Sequence, residues 1–161
     1  MNTVSRYLTT FAISLGVVVA VTLSAAPAPA ARADVALVHP DVAYALLAEP
    51  GGVATSWSTA EWPALDMTLT VSGIGARSVG SCATGAICAY SQASQGGTKL
   101  EWTSCGSKST AALATVGSIA NARSSGTLQA RQGTTVRASA TAGTAATVPI
   151  AYRALITNVY C

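Results

Sequence analysis

Residues 81–105 read SCATGAICAYSQASQGGTKLEWTSC, and three of the chain's four cysteines fall within this stretch. A structural zinc site needs cysteines about two to four residues apart and then a second pair of ligands. Five residues separate Cys82 from Cys88, and the single histidine, His39, lies far upstream. A catalytic thiol needs a base beside it, and no histidine occurs between residues 82 and 161. Neither metal ligation nor thiol chemistry is therefore expected, and no cofactor is implied. Four cysteines without such partners point to two disulfides and an oxidising compartment.

The same stretch carries a hairpin pattern. AICAYS and KLEWTS each read as a strand, and QASQGG between them supplies turn residues. An antiparallel pairing of these strands brings Cys82 and Cys105 together at the open end, which leaves Cys88 to bond Cys161. The main alternative is Cys82–Cys88, because a five-residue loop is sterically allowed; four cysteines permit three pairings.

Upstream, Arg6 precedes the apolar run FAISLGVVVAVTLSAA (11–26) and then PAPAARAD. A basic start, an apolar middle and a small-x-small end are the pattern of a secretory signal peptide, here residues 1–33 with cleavage after Ala33. The chain that remains should be secreted, with no stable membrane insertion. Residues 34–72 form an acidic N-terminal extension with the character of a pro-segment. Asp34, Asp41, Glu49, Glu61 and Asp66 are matched by no Lys or Arg within residues 34–66. Pro40-Asp41 followed by VAYALLA reads as a short helix, VATSW and DMTLTV as strands, and Glu61-Trp62-Pro63 as a turn between them. Trp57 and Trp62 suggest that the extension packs against its own β-domain. Residues 73–81, rich in Gly and Ser, read as a linker.

From residue 82 to 161 the pattern is β throughout. Seven basic residues after position 66 outweigh Glu101, but no two are adjacent. The basic clustering that nucleic-acid binding requires is therefore lacking, and no nucleic-acid partner is expected. SKSTAALATVG reads as a short helix or a long loop. TLQAR and TTVRASATAG form a second hairpin about Gln132-Gly133. Alternation along the latter strand puts Val136, Ala138 and Ala140 on one buried face, and RALITNVYC reads as a final strand. The expected core comprises Ile87, Leu100, Trp102, Leu128, Val136, Leu155 and Ile156. Short strands at regular spacing with Gly-rich turns point to an all-β domain, a small sandwich or barrel-like fold of Greek-key type.

The spacing Cys-x-x-Gly-x-x-Cys-Ala-Tyr, a Gly-Gly, Lys-Leu-x-Trp-x-x-Cys and then Ser-Ile-x-Asn-x-x-Ser-Ser resembles the βγ-crystallin-like, streptomycete-type metalloproteinase inhibitor family of secreted actinobacterial proteins. The resemblance spans roughly residues 81–161. It implies a small disulfide-bonded Greek-key domain, exported, that inhibits an extracellular peptidase. In that pattern Tyr90 and Gly97 shape the folded hairpin, and Gln95 stands where a second aromatic is usual. The segment matching the family's calcium motif, Ala120–Ser125, is degenerate. Ala120 has no side-chain oxygen and Arg123 adds repulsion, so Asn121, Ser124 and Ser125 are expected to serve as turn hydrogen-bonders, with no metal held.

Catalysis is not expected. General acid–base chemistry needs a positioned histidine or paired carboxylates, and residues 82–161 contain one carboxylate side chain, Glu101. Function is expected instead in exposed loops on a rigid scaffold. The candidates are residues 91–97, with Gln92, Ser94 and Gln95 as reactive-loop residues, and residues 107–115. The partner that the resemblance leads one to expect is an extracellular peptidase; the alternative is an extracellular or wall-associated β-domain without inhibitory activity.

Overall fold

The computed structural model describes residues 38–72 and 82–161. The signal peptide and the 73–81 linker read from the sequence lie outside the described residues. The elements are α1 (Pro40–Ala48), β1 (Val53–Ser56), β2 (Thr59–Trp62), β3 (Met67–Val71), β4 (Ile87–Tyr90), β5 (Thr98–Trp102), β6 (Ser107–Ser109), β7 (Ser118–Asn121), β8 (Thr127–Gln132), β9 (Thr135–Thr141), β10 (Thr144–Thr147) and β11 (Asn158–Tyr160). All pairings are antiparallel. One sheet runs β1-β2-β3-β5-β4-β7-β10 and the other β6-β11-β8-β9. The all-β class and the two disulfides are as the sequence indicated.

Register explains the core. Ala60, Leu69, Leu100, Ala89, Ile119 and Ala146 stand side by side across six strands of the larger sheet. One pleat away, Trp62, Met67, Trp102 and Ile87 form the next row. Leu128, Ala130, Ala140 and Val159 of the smaller sheet close the same core, and Val42 and Ala45 of α1 join it. Each fully buried Leu or Ile contributes about 1.5–3 kcal/mol.

The acidic extension does more than pack on the β-domain. Its strand β3 pairs with β5 over five residue pairs and with β2 on its other edge, so it is an interior strand of the larger sheet. Trp62 is buried and its indole Nε1 donates to the Glu49 carbonyl at 2.7 Å, whereas Trp57 is exposed. The helix forms where expected. Pro40 opens it, His39 Nδ1 accepts from the Asp41 amide at 3.1 Å, and the backbone leaves the helix before Pro50. Glu61 and Trp62, expected in a turn, belong to β2, and the turn is the 3₁₀ segment Pro63–Leu65.

Four other expectations are corrected. The first concerns Val136, which is exposed instead of buried. Ala138 and Ala140 face inward opposite Ala130 and Leu128, but a bulge between Ala130 and Arg131 pairs Arg131 with Val136. The extra residue reverses the side-chain phase, so strict alternation fails at that point. Second, Leu155 is exposed because the segment read as a strand from residue 153 is mostly the 3₁₀ segment Ile150–Leu155; β11 occupies only its end. The hairpin turn also lies one residue later than expected, at Gly133-Thr134, with Gly133 at φ +60°.

The disulfides correct the fourth expectation: Cys82 bonds Cys88 and Cys105 bonds Cys161, with Cα separations of 5.8 and 5.7 Å. Cys82 does not extend the hairpin toward Cys105. Gly85, at φ +85°, donates its amide to the Ala122 carbonyl, and Ala86 donates back to Ala83. The chain thus doubles over the outer face of β4, where Cys88 lies. After β5 the chain crosses to β6 in the other sheet, where Ser107 pairs with Tyr160. That register sets Cys161 beside Cys105.

Candidate functional site

Strand β4 is buried along its whole length, and on its outer face Cys88 and Tyr90 pack with Ala120 of β7 and with Cys82 of the folded-over segment. After Tyr90 the chain bends into the 3₁₀ turn Ala93–Gln95 and folds back onto β7. Ser94 and Gln95 adopt left-handed backbone angles (φ +54° and +60°), a conformation that non-glycine residues hold only against resistance. The surrounding bonds provide that restraint. The Gln92 amide donates to Gly96 O at 3.0 Å and the Gln95 amide to Ser118 Oγ at 2.9 Å, while Ser118 Oγ donates to Gln92 O at 2.7 Å. Ser91 Oγ accepts from the Thr98 amide at 2.8 Å, and Thr115 Oγ1 donates to Ser91 O at 3.0 Å. Two glycines permit this packing. Gly97 sits at φ +76°, and a Cβ there would lie 2.2 Å from Ser91 Oγ.

Gly117 is the tighter constraint, since a Cβ on it would lie 2.2 Å from the Gln92 carbonyl carbon and 2.6 Å from the Ala93 nitrogen. Both are backbone atoms, so the loop would have to lift. Gly117→Ala is expected to cost about 1–3 kcal/mol and to accelerate amide hydrogen exchange at Gln95 and Thr98 first. Unchanged stability and exchange would show that the loop is not seated on β7.

The sequence-predicted loop residues are placed as follows. Gln92 and Ser94 are exposed, while Gln95 is half-buried and lines a cleft of about 350 Å³ together with Cys82, Asn121 and Thr144. The second candidate loop contributes β6 at 107–109 and then turns through Ala112–Thr115 toward the hairpin. The two loops meet the N-terminal helix at another cleft, of about 440 Å³. Its walls include Tyr44 and Leu113, and Ser91 and Thr115 come from the two loops. Asp41, an exposed residue of α1, turns its carboxylate onto the Thr98 hydroxyl, from which Oδ2 accepts a hydrogen bond. A carboxylate beside apolar walls suits a lysine or arginine side chain: the aliphatic stem lies on the walls and the cationic head reaches the acid. Asp41 was legible in the sequence only as part of an acidic extension. Its convergence with loops some 50 to 70 positions downstream is a product of the β3–β5 pairing.

The residues of the degenerate calcium motif do not converge. Asn121 is buried; its Nδ2 donates to Gly126 O at 3.2 Å and Ala140 O at 3.4 Å, and its Oδ1 accepts from the Arg123 amide at 3.2 Å. Both ends of its amide thus brace the β7–β8 turn. Ser124 and Ser125 are exposed on that turn. Among the described residues, one group gathers metal-type ligand atoms within 4.8 Å of one another: Cys82, Cys88 and Glu101. The two sulfurs are bonded to each other, and Glu101 Oε2 accepts from Lys99 Nζ at 2.7 Å and the Ala83 amide at 3.1 Å. The carboxylate therefore braces the disulfide loop against β5. Protein-family models, curated proteins and solved structures were each compared with the chain, and none matches it.

Proposed function

We propose that this chain is a secreted binding domain of the peptidase-inhibitor type, exported by the signal peptide at 1–33, which docks on an extracellular peptidase through the cleft between the hairpin loop, the 111–115 loop and α1. The observation that carries this reading is the convergence of both candidate loops, already fixed by hydrogen bonds, on a single cleft with a carboxylate at Asp41. A surface ordered before contact loses little conformational entropy on binding. The folded-back Tyr90–Gly97 hairpin is in keeping with the βγ-crystallin-like, Greek-key kinship suggested by the sequence. Gln92 and Ser94 lie at a tight turn, so the mode proposed is obstruction by a rigid surface, with a basic side chain of the peptidase seated on Asp41. Threading of an extended reactive strand is not part of this proposal.

The purified protein should abolish the activity of a thermolysin-like metallopeptidase stoichiometrically in a titration, with a subtilisin-like serine peptidase run in parallel. Asp41→Asn keeps an acceptor for Thr98 while removing the charge, and should weaken inhibition about tenfold. Full peptidase activity at micromolar protein in both assays would remove these peptidase classes as targets and favour the non-inhibitory, wall-associated reading.

A further inference from the structure

Two arginines of the β8–β9 hairpin are held in the same manner. The Arg131 guanidinium lies 3.9 Å from the centroid of the Tyr160 ring, and its Nε and Nη2 both donate to Gln129 Oε1, at 2.9 and 2.5 Å. The Arg137 guanidinium lies 4.2 Å from the Tyr152 ring centroid, and its Nε and Nη2 both donate to Gln132 Oε1, at 3.3 and 2.8 Å. In each clamp the ring and the amide are neutral. Among the described residues the ion pair present is Lys99–Glu101, and no carboxylate meets either arginine.

A guanidinium has five N–H donors, of which the glutamine in each clamp takes two. The remaining three, on Nη1 and Nη2, form the end-on edge that matches two oxygens of a carboxylate or phosphate. Fixing an arginine side chain costs conformational entropy, and here that ordering is achieved without any opposing charge. The clamp thus presents a positioned, uncompensated cation. Tyr160 is 41% exposed, so the Arg131 clamp stands at the surface of the smaller sheet. Arg137 occupies the bulge on the neighbouring strand, where the register skips from Ala138 to Val136.

We propose that the β8–β9 hairpin carries two oxyanion forks, Arg131 and Arg137, for an acidic glycopolymer bearing repeated phosphate or carboxylate groups. Two forks on one hairpin suit a ligand with more than one anionic group. Each tyrosine already has its guanidinium stacked on one ring face, which removes that face from the base stacking used to bind single-stranded nucleic acid.

The test is calorimetric titration of the purified protein with polygalacturonate (carboxylate) and with a glycerol-phosphate polymer (phosphate), with neutral dextran and single-stranded DNA as comparators. Binding to one or both acidic polymers, weakening as salt rises, is expected, and the stronger arm identifies the anionic group. Arg131→Lys and Arg137→Lys keep the charge but lose the planar fork, and each should weaken binding about tenfold. Arg123→Gln removes one charge from outside the clamps and should change affinity less than about threefold. Wild-type binding by both lysine variants would overturn the proposal, as would an equal loss in Arg123→Gln, tighter binding to DNA, or no binding to either acidic polymer. The lysine variants are to be compared at matched thermal midpoints, and Gln129→Ala, which leaves the charge in place but frees the Arg131 Nε edge, should also weaken binding.

Discussion

A chain beginning at residue 73 is expected to show no cooperative unfolding transition and to expose Trp102 to solvent. The expected loss is large because residues 38–72 supply an interior strand, not a cover. Without β3, the edge of β5 from Thr98 to Trp102 loses its ladder, and Leu100 and Trp102 lose Leu69 and Met67 as lateral neighbours. Trp62, Val42, Ala45 and Ala60 leave the core with it. Losing several buried apolar side chains at about 1.5–3 kcal/mol each matches or exceeds the 5–15 kcal/mol by which domains are stable. Near-ultraviolet circular dichroism and a urea titration would decide the matter, because a native-like transition in the shortened chain would show that residues 82–161 fold alone. Leu69→Ala in the intact chain gives the graded version. It should lower stability by about 2–5 kcal/mol, as buried leucine truncations do.

That expectation departs from the division the sequence suggests, and the reason is physical. The acidic extension, the glycine- and serine-rich stretch and the basic remainder differ in composition, and composition marks linkers well. It carries no information about which strand pairs with which. Met67, Leu69 and Val71 alternate as a half-buried strand should, yet the partner edge lies some 30 positions downstream in β5. Local pattern served where local chemistry decides, as in the helix opened by His39 and Pro40 and in the hairpin of β4 and β5. It failed where one backbone irregularity changes the phase, as at the bulge that turns Val136 outward. The site divides along the same line. The two candidate loops were readable as turn-rich segments, but their meeting with Asp41 follows from long-range pairing, the Arg131 clamp follows from cross-strand register between β8 and β11, and the Arg137 clamp joins the β9 bulge to Tyr152 of the 3₁₀ segment.

Replacing Cys105 and Cys161 by serine should destabilise the fold more than replacing Cys82 and Cys88 by alanine. The Cys105–Cys161 bond joins residues 56 apart and the Cys82–Cys88 bond residues 6 apart. Loop-closure entropy removed from the unfolded chain then amounts to about 4 kcal/mol for the first and about 2 kcal/mol for the second. Topology reinforces the order. Residues 158–160 form a three-residue strand between β6 and β8, and β6 itself is a three-residue edge strand. A strand this short holds few ladder hydrogen bonds, and the Cys161 bond ties β11 to the crossover from β5. Cys88 is fully buried, so its loss adds a packing penalty that alanine only partly relieves. Even so, the short loop leaves the other bond with the larger entropic share. Urea unfolding of the two double variants measures the difference directly. Equal losses, or a greater loss on removing Cys82–Cys88, would mean that loop-closure entropy does not set the order and that the folded-over loop on β4 contributes at least as much as the Cys105–Cys161 clasp.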